Sequence, residues 1–246
     1  MTNAISYQID ADKIVTLTID MPGQSANTMN AAYREAMGET INRLEADKAD
    51  IAGVILTSGK STFFAGGDLN ELLQAQPEHA EAFFQMVETI KGQLRRLEKL
   101  GKPVVAAING AALGGGFEIA LACQRRICLS NSKIQLGLPE VTLGLLPGGG
   151  GVTRLVRLLG LQAAFPFLME GKRVRPQAAL EAGLIHELAD SPEEMLAKAR
   201  AWILANPNAK QPWDADGYKM PGGTPSTPKV AQMLAIAPAM LRAKTS

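Results

Sequence analysis

Glycine runs that expose main-chain N–H groups, with acidic residues directly beside them, are the features of this 246-residue chain best placed for chemistry. The first is Phe63-Phe64-Ala65-Gly66-Gly67-Asp68-Leu69. The second runs from Asn109-Gly110 through Leu113-Gly114-Gly115-Gly116 to Phe117-Glu118. The third opens at Leu138-Pro139-Glu140 and continues through Leu145-Leu146-Pro147 into Gly148-Gly149-Gly150-Gly151. Backbone without side chains lets a ligand approach N–H groups closely. Where a helix follows, those groups lie at its N-terminus and attract negative charge. A phosphate is a poor fit: there is no G-x-G-x-x-G fingerprint, and Gly59-Lys60-Ser61 lacks the earlier glycine of a Walker loop. Glu118 would also repel a phosphate at the start of its own helix. The other use of such donors is an oxyanion hole, with Gly67 and Gly115 giving one N–H each. Tight turns and close helix contacts are the plain alternative for any single Gly-Gly pair. Two such loops, each bordered by an acidic residue, weigh against it.

These loops need a framework, and each follows a predicted strand. Lys13 to Asp20 alternates apolar and β-branched residues like a half-buried strand, with Tyr7 to Asp10 as hairpin partner turning at Asp10-Ala11-Asp12. Ile51 to Leu56 and Pro103 to Ile108 read as short buried strands. Between Ser25 and Ile51, Met29, Tyr33, Met37, Ile41 and Leu44 recur at helical spacing. His79 to Leu100 reads as a long amphipathic helix closed by Gly101 and Pro103. Strands alternating with helices predict an α/β fold with mainly parallel pairing.

Composition narrows the functional classes. Hydrophobic residues make up 46% and charged residues 20%, with mean hydropathy +0.02, which excludes a disordered chain. A formal charge of +1 without a basic stripe argues against nucleic acid as a partner. Cys123 and Cys128 are too few for a disulfide framework and are expected reduced. His79 and His186, the latter expected in a strand, have no ligand-spaced partner, so no metal is expected. No G-x-S-x-G elbow is present. Without an apolar leader or membrane span, the chain reads as a soluble cytoplasmic protein.

The segments FFAGGDL, NGAALGGGFEIALAC and LGLPEVTLGLLPGGGGVTRLVRLLG resemble, in order and approximate spacing, the three signature segments of the crotonase (enoyl-CoA hydratase/isomerase) superfamily. The resemblance covers roughly Ile5 to Leu204. It implies an α/β fold with a crotonase-like ββα spiral core, an acyl-CoA thioester substrate, and a thioester enolate held by the N–H groups of Gly67 and Gly115. Hydratases of this family carry two glutamates, and Glu118 and Glu140 occupy the matching positions, 22 residues apart. Glu140 is then the proton donor to the α-carbon and Glu118 holds and activates water; mutual repulsion would leave one carboxyl protonated near neutrality. A glutamate taken alone reads as a solvated surface carboxylate. Glu118 resists this, lying between GGGF and IALAC, whereas the case for Glu140 rests mainly on the family match.

The same resemblance places Ser25 and Ala26 near the CoA adenine and phosphates, with a turn and helix cap as an equal alternative. Ala65 and Asp68 complete the substrate-binding candidates, helix N-capping being the weightier role for Asp68. The implied function is hydration of trans-2-enoyl-CoA to 3-hydroxyacyl-CoA in fatty-acid β-oxidation, without a cofactor, since CoA belongs to the substrate. Isomerisation of 3-enoyl-CoA, or a non-catalytic CoA-binding or assembly module, are the alternatives.

The tail departs from stand-alone hydratases. Residues 1–205 read as the catalytic domain and 206–246 as a linker and terminal helix. That tail resembles the linker of bifunctional hydratase/3-hydroxyacyl-CoA dehydrogenase enzymes, so the chain reads as the hydratase portion of a longer multienzyme. The homo-oligomer common in the family is left open. Prolines 207, 212, 221, 225 and 228 forbid regular helix across the linker. Trp213 and Tyr218 predict that it docks on the domain surface, with the final helix beside the acyl end of the pocket.

Overall fold

Asp10 closes the first hairpin: its Oδ1 accepts the N–H groups of Asp12 (2.8 Å) and Ile14 (3.1 Å), and Lys13 adopts a left-handed φ of 62°. The hairpin joins β1 (Ile5–Ile9) to β2 (Ile14–Ile19), which pair antiparallel. The computed structural model to which these elements belong describes residues 4–68, 71, 73–74 and 76–245. Leu69, the last residue of the first glycine-rich segment, lies outside the described residues.

From β2 onward the main sheet is parallel. Its neighbours are β3 (Gly53–Ser58), β4 (Val104–Ile108), β6 (Arg125–Leu129) and β9 (Glu187–Ala189), in the order β1-β2-β3-β4-β6-β9. Strand β3 begins and ends two residues later than its apolar run predicts. The parallel register with β2, from Ile14 opposite Gly53 to Ile19 opposite Ser58, carries it on into Thr57 and Ser58. Thr57 is accommodated because its hydroxyl donates to the Ala107 carbonyl (3.0 Å). His186 lies just before β9 rather than in a strand; its Nδ1 accepts the Arg126 N–H (3.1 Å). Burial and the charges of Arg126 and Arg125 push its pKa down to about 3.

Alternate residues of each strand enter opposite faces. Val15, Leu17 and Ile19, with Val54, Leu56, Val104, Ala106 and Ile108, form the main core. Against it pack α1 (Ala31–Asp47), α2 (Ala80–Glu98) and α3 (Gly115–Leu121). Ile14, Ile55, Val105, Ala107 and Ile127 face the other way, onto Met195, Ala199 and Ile203 of α7 (Pro192–Ala205). Helix α1 starts where Asn30 caps the Tyr33 N–H (3.0 Å) and buries Tyr33, Met37, Ile41 and Leu44, as the periodicity predicts. Met29 is the exception: it precedes the cap and forms an isolated parallel bridge with Gly67.

A three-stranded sheet of β5 (Ala112–Leu113), β7 (Leu136–Gly137) and β8 (Arg173–Val174) lies beside the main one. After β7 a 3-10 turn (Pro139–Leu143) leads to α4 (Gly151–Leu159) and α5 (Leu161–Met169), and α6 (Pro176–Glu181) precedes β9. The tail beyond Asn206 is docked at Gln211, Asp214 and Tyr218 and ends in α8 (Pro228–Thr245). Helix α8 packs on α5 instead of beside the cleft, and none of its described residues lines that cleft. Side-chain-free Gly160 lets the Pro221 backbone pack directly on it, just before α5 begins. No helix among the described residues is long and apolar enough to cross a membrane.

Candidate active site

The first two glycine-rich loops are stitched together by backbone hydrogen bonds. Phe63 and Phe64 N–H groups donate to the Ala111 carbonyl (3.0 Å each) and Leu113 N–H to the Phe64 carbonyl (3.2 Å), while Ala65 N–H to the Asn27 carbonyl (2.8 Å) and Met29 N–H to the Gly66 carbonyl (2.9 Å) tie the preceding segment to the first loop. Asn27 anchors the assembly. It is wholly buried; its Oδ1 accepts the Met21 N–H (3.0 Å) and its Nδ2 donates to Ile19 O (3.0 Å) and Ser58 Oγ (2.9 Å). Gly66 takes a φ of 105°, and a Cβ there would stand 3.8 Å from the Gly115 nitrogen, so the two loops touch. Gly115 is the first residue of α3, where an N–H has no intrahelical acceptor.

Around this junction opens a cleft of about 1140 Å³. Ser25, Ala26, Ala65, Gly67, Asp68, Gly115, Glu118 and Glu140, the whole set singled out in the sequence, line it. Asp68 also accepts the Glu71 N–H (3.4 Å). Arg34 is the one arginine among the described lining residues, and it pairs with Glu71 at 2.8 Å. Phe83, Met86, Val87 and Ile90 of α2, with Leu145 and Leu146, supply apolar lining to the cleft.

Glu118 is 2% exposed, and its Oε1 accepts the Gly151 N–H (2.7 Å) at the first residue of α4. A Cβ on Gly149 would stand 2.9 Å from its Oε2, and one on Gly151 2.8 Å from its Oε1. The third glycine run, to which the sequence reading assigned no task, is therefore the seat of Glu118. Its one local signal was four consecutive glycines, whose flexibility is costly unless close approach requires it. Burial pushes the Glu118 pKa up, opposed by the N–H groups of Gly151 and Gly149.

Glu140 is half-buried on the 3-10 turn, and Gly114, at φ 54°, makes room for it: a Cβ there would be 3.0 Å from Oε1. Its Oε2 is buried without a hydrogen-bond partner among the described residues. Its pKa is pushed up to about 7, chiefly by burial, with the Glu118 charge adding less. The expected protonated carboxyl thus arises mainly from desolvation; repulsion between the two glutamates is secondary.

His79 lies at the cleft edge and His186 far along the chain by the Arg126 backbone. Among the described residues no group of three or more His, Cys, Asp or Glu side chains could hold a metal ion. Cys123 and Cys128 are free and buried, their thiols pushed up to about 12 by burial.

Comparison with known proteins matches residues 10–212 to the family described as enoyl-CoA hydratase/isomerase. The fatty acid oxidation complex subunit alpha of Idiomarina loihiensis is 44% identical over 186 residues, covering 75% of this chain and 26% of that protein. The subunit alpha of Aliivibrio fischeri is 40% identical over 214 residues, covering 85% of this chain and 30% of that protein. The chain thus spans less than a third of these relatives' length. Among solved structures, an enoyl-CoA hydratase from Bacillus anthracis is 33% identical with a TM-score of 0.72, covering 81% of this chain and 75% of that one. With the family matched across most of its length and a hydratase fold closely superposed, the chain belongs to the enoyl-CoA hydratase/isomerase family.

Proposed function

We propose that this chain adds water to trans-2-enoyl-CoA to give 3-hydroxyacyl-CoA, as a step of fatty-acid oxidation. The observation that carries the reading is Glu118 and Glu140 lining one cleft with Gly67 and Gly115. In this reading the N–H groups of Gly67 and Gly115 hold the thioester oxygen as it gains charge. One such donor is typically worth ~3–4 kcal/mol in the transition state. Glu118 orients a water and takes its proton as the oxygen bonds the β-carbon. Glu140 gives its proton to the α-carbon of the enolate.

A pKa of about 7 supports the donor role, because the group is substantially protonated near neutrality. The apolar lining that includes Met86 and Leu146 suits the acyl chain, and the backbone around Ser25 and Ala26 suits the CoA portion. The reaction is proton transfer and addition, so it calls for no cofactor beyond the CoA of the substrate. Isomerisation of 3-enoyl-CoA would need one glutamate over the same enolate. The test is product analysis with crotonyl-CoA and a matched 3-enoyl-CoA. Conversion of crotonyl-CoA to 3-hydroxybutyryl-CoA is expected. Double-bond migration without hydration would select the isomerase, and binding without turnover the non-catalytic module.

A further inference from the structure

Four consecutive glycines are a weak support for a reacting carboxylate, since such backbone has the greatest freedom to lose. Something must fix Gly148 to Gly151, and the contacts lead to the tail. Arg154 turns back from α4 and its Nη1 donates to the Gly149 carbonyl (2.9 Å). Arg154 is itself held by buried Glu98 of α2, through Nε to Oε1 (3.0 Å) and Nη2 to Oε2 (3.2 Å). Glu98 Oε2 also accepts from Arg95 Nη1 (2.6 Å). Arg95 then makes a bidentate pair with Asp214 of the tail, Nη1 to Oδ2 at 2.8 Å and Nη2 to Oδ1 at 2.6 Å.

The tail also bonds the helix that carries Glu118. Gln211, 1% exposed, donates from Nε2 to the Leu121 carbonyl (3.1 Å) at the end of α3, the helix that carries Glu118. Tyr218 donates its hydroxyl to the Arg157 carbonyl (2.5 Å) on α4. One short stretch thus fastens both the helix bearing Glu118 and the helix whose first N–H holds its carboxylate.

We infer that Gln211 to Tyr218 is a clamp that positions Glu118, with Gln211, Asp214, Arg95, Glu98 and Arg154 as positioning residues. The inference rests on the proposed role of Glu118. It makes a segment outside the three signature loops part of the catalytic apparatus, acting through the glycine run without touching substrate.

The test uses the full chain with Asp214→Ala, Gln211→Ala and the pair. Hydration of crotonyl-CoA should fall about tenfold in kcat for the pair, with KM within about twofold, since the cleft wall is intact. Asp214→Glu, able to keep the bidentate contact, should recover much of the loss. Arg96→Gln, next to Arg95 on α2, removes an exposed pair with Glu45 of α1, serves as the control and should leave kcat unchanged. Hydrogen exchange of the peptide spanning residues 146–155 gives a readout independent of activity and should quicken in Asp214→Ala. Unchanged kcat and unchanged exchange in the pair overturn the clamp, as does an equal kcat loss in Arg96→Gln. If the wild-type chain hydrates no enoyl-CoA, the role given to Glu118 fails, while exchange at 146–155 still decides whether the tail holds that loop.

Discussion

Glu140 is poised between two charge states by where it lies, and that has a consequence for stability. Its folded pKa of about 7 exceeds the ordinary carboxyl value of 4.5, so the native state binds the proton more tightly than the unfolded chain does. The favourable contribution is complete below pH 4.5 and is lost as the pH rises through 7. Glu140→Gln keeps a neutral side chain at every pH. It should match the wild type in stability near pH 4 and exceed it at pH 8 by ~1–2 kcal/mol, allowing for partial exposure. Urea unfolding at the two pH values measures the difference; an equal difference at both would contradict it. The sequence signalled Glu118 locally, because an acid between GGGF and IALAC has few solvated options. The chemistry around both glutamates was less legible. Which glycines make room for which carboxylate depends on contacts between residues far apart in the chain, such as Glu118 with Gly149 and Gly151.

At the scale of elements, local periodicity carries far because hydrophobic faces must be buried. The α1 span and the first hairpin follow from side-chain spacing and an Asp-rich turn. Where a long-range partner decides, the pattern misleads: Met29 has helical spacing but bonds to the Gly66 loop. Asn27 is the clearest case. It directly follows Ser25 and Ala26, the pair expected near CoA, yet its side chain ties β2, β3 and the first glycine loop together. Asn27→Ala leaves the buried Met21 N–H without its acceptor and should cost ~2–4 kcal/mol, seen as a lower urea midpoint with unchanged slope. Activity of the folded fraction should also fall, since the Asn27 main-chain carbonyl that accepts the Ala65 N–H loses the side-chain bonds that fix it. A change below about 0.5 kcal/mol would show that the loop is held by its backbone bonds alone.

Over the whole molecule, the main sheet, covered on both faces, supports the loops after β3 and β4, the smaller sheet supports the loop after β7, and those loops meet at one cleft. The family resemblance implied the three-loop site, and the α/β class could be read from order and spacing. The path of the tail could not, because proline and glycine specify where helix is forbidden but not which surface the chain follows. Its docking at Gln211 and Asp214, and the turn of α8 onto α5, emerge only from the folded chain. The central claim remains that two carboxylates divide water addition between them over a stabilised enolate. Turnover of crotonyl-CoA by Glu140→Gln beside the wild type, followed by loss of the enoyl thioester absorbance, tests it most directly. The account predicts a fall in kcat of at least ~100-fold with substrate still bound, the usual range for losing a general acid; near wild-type turnover in that variant would contradict it.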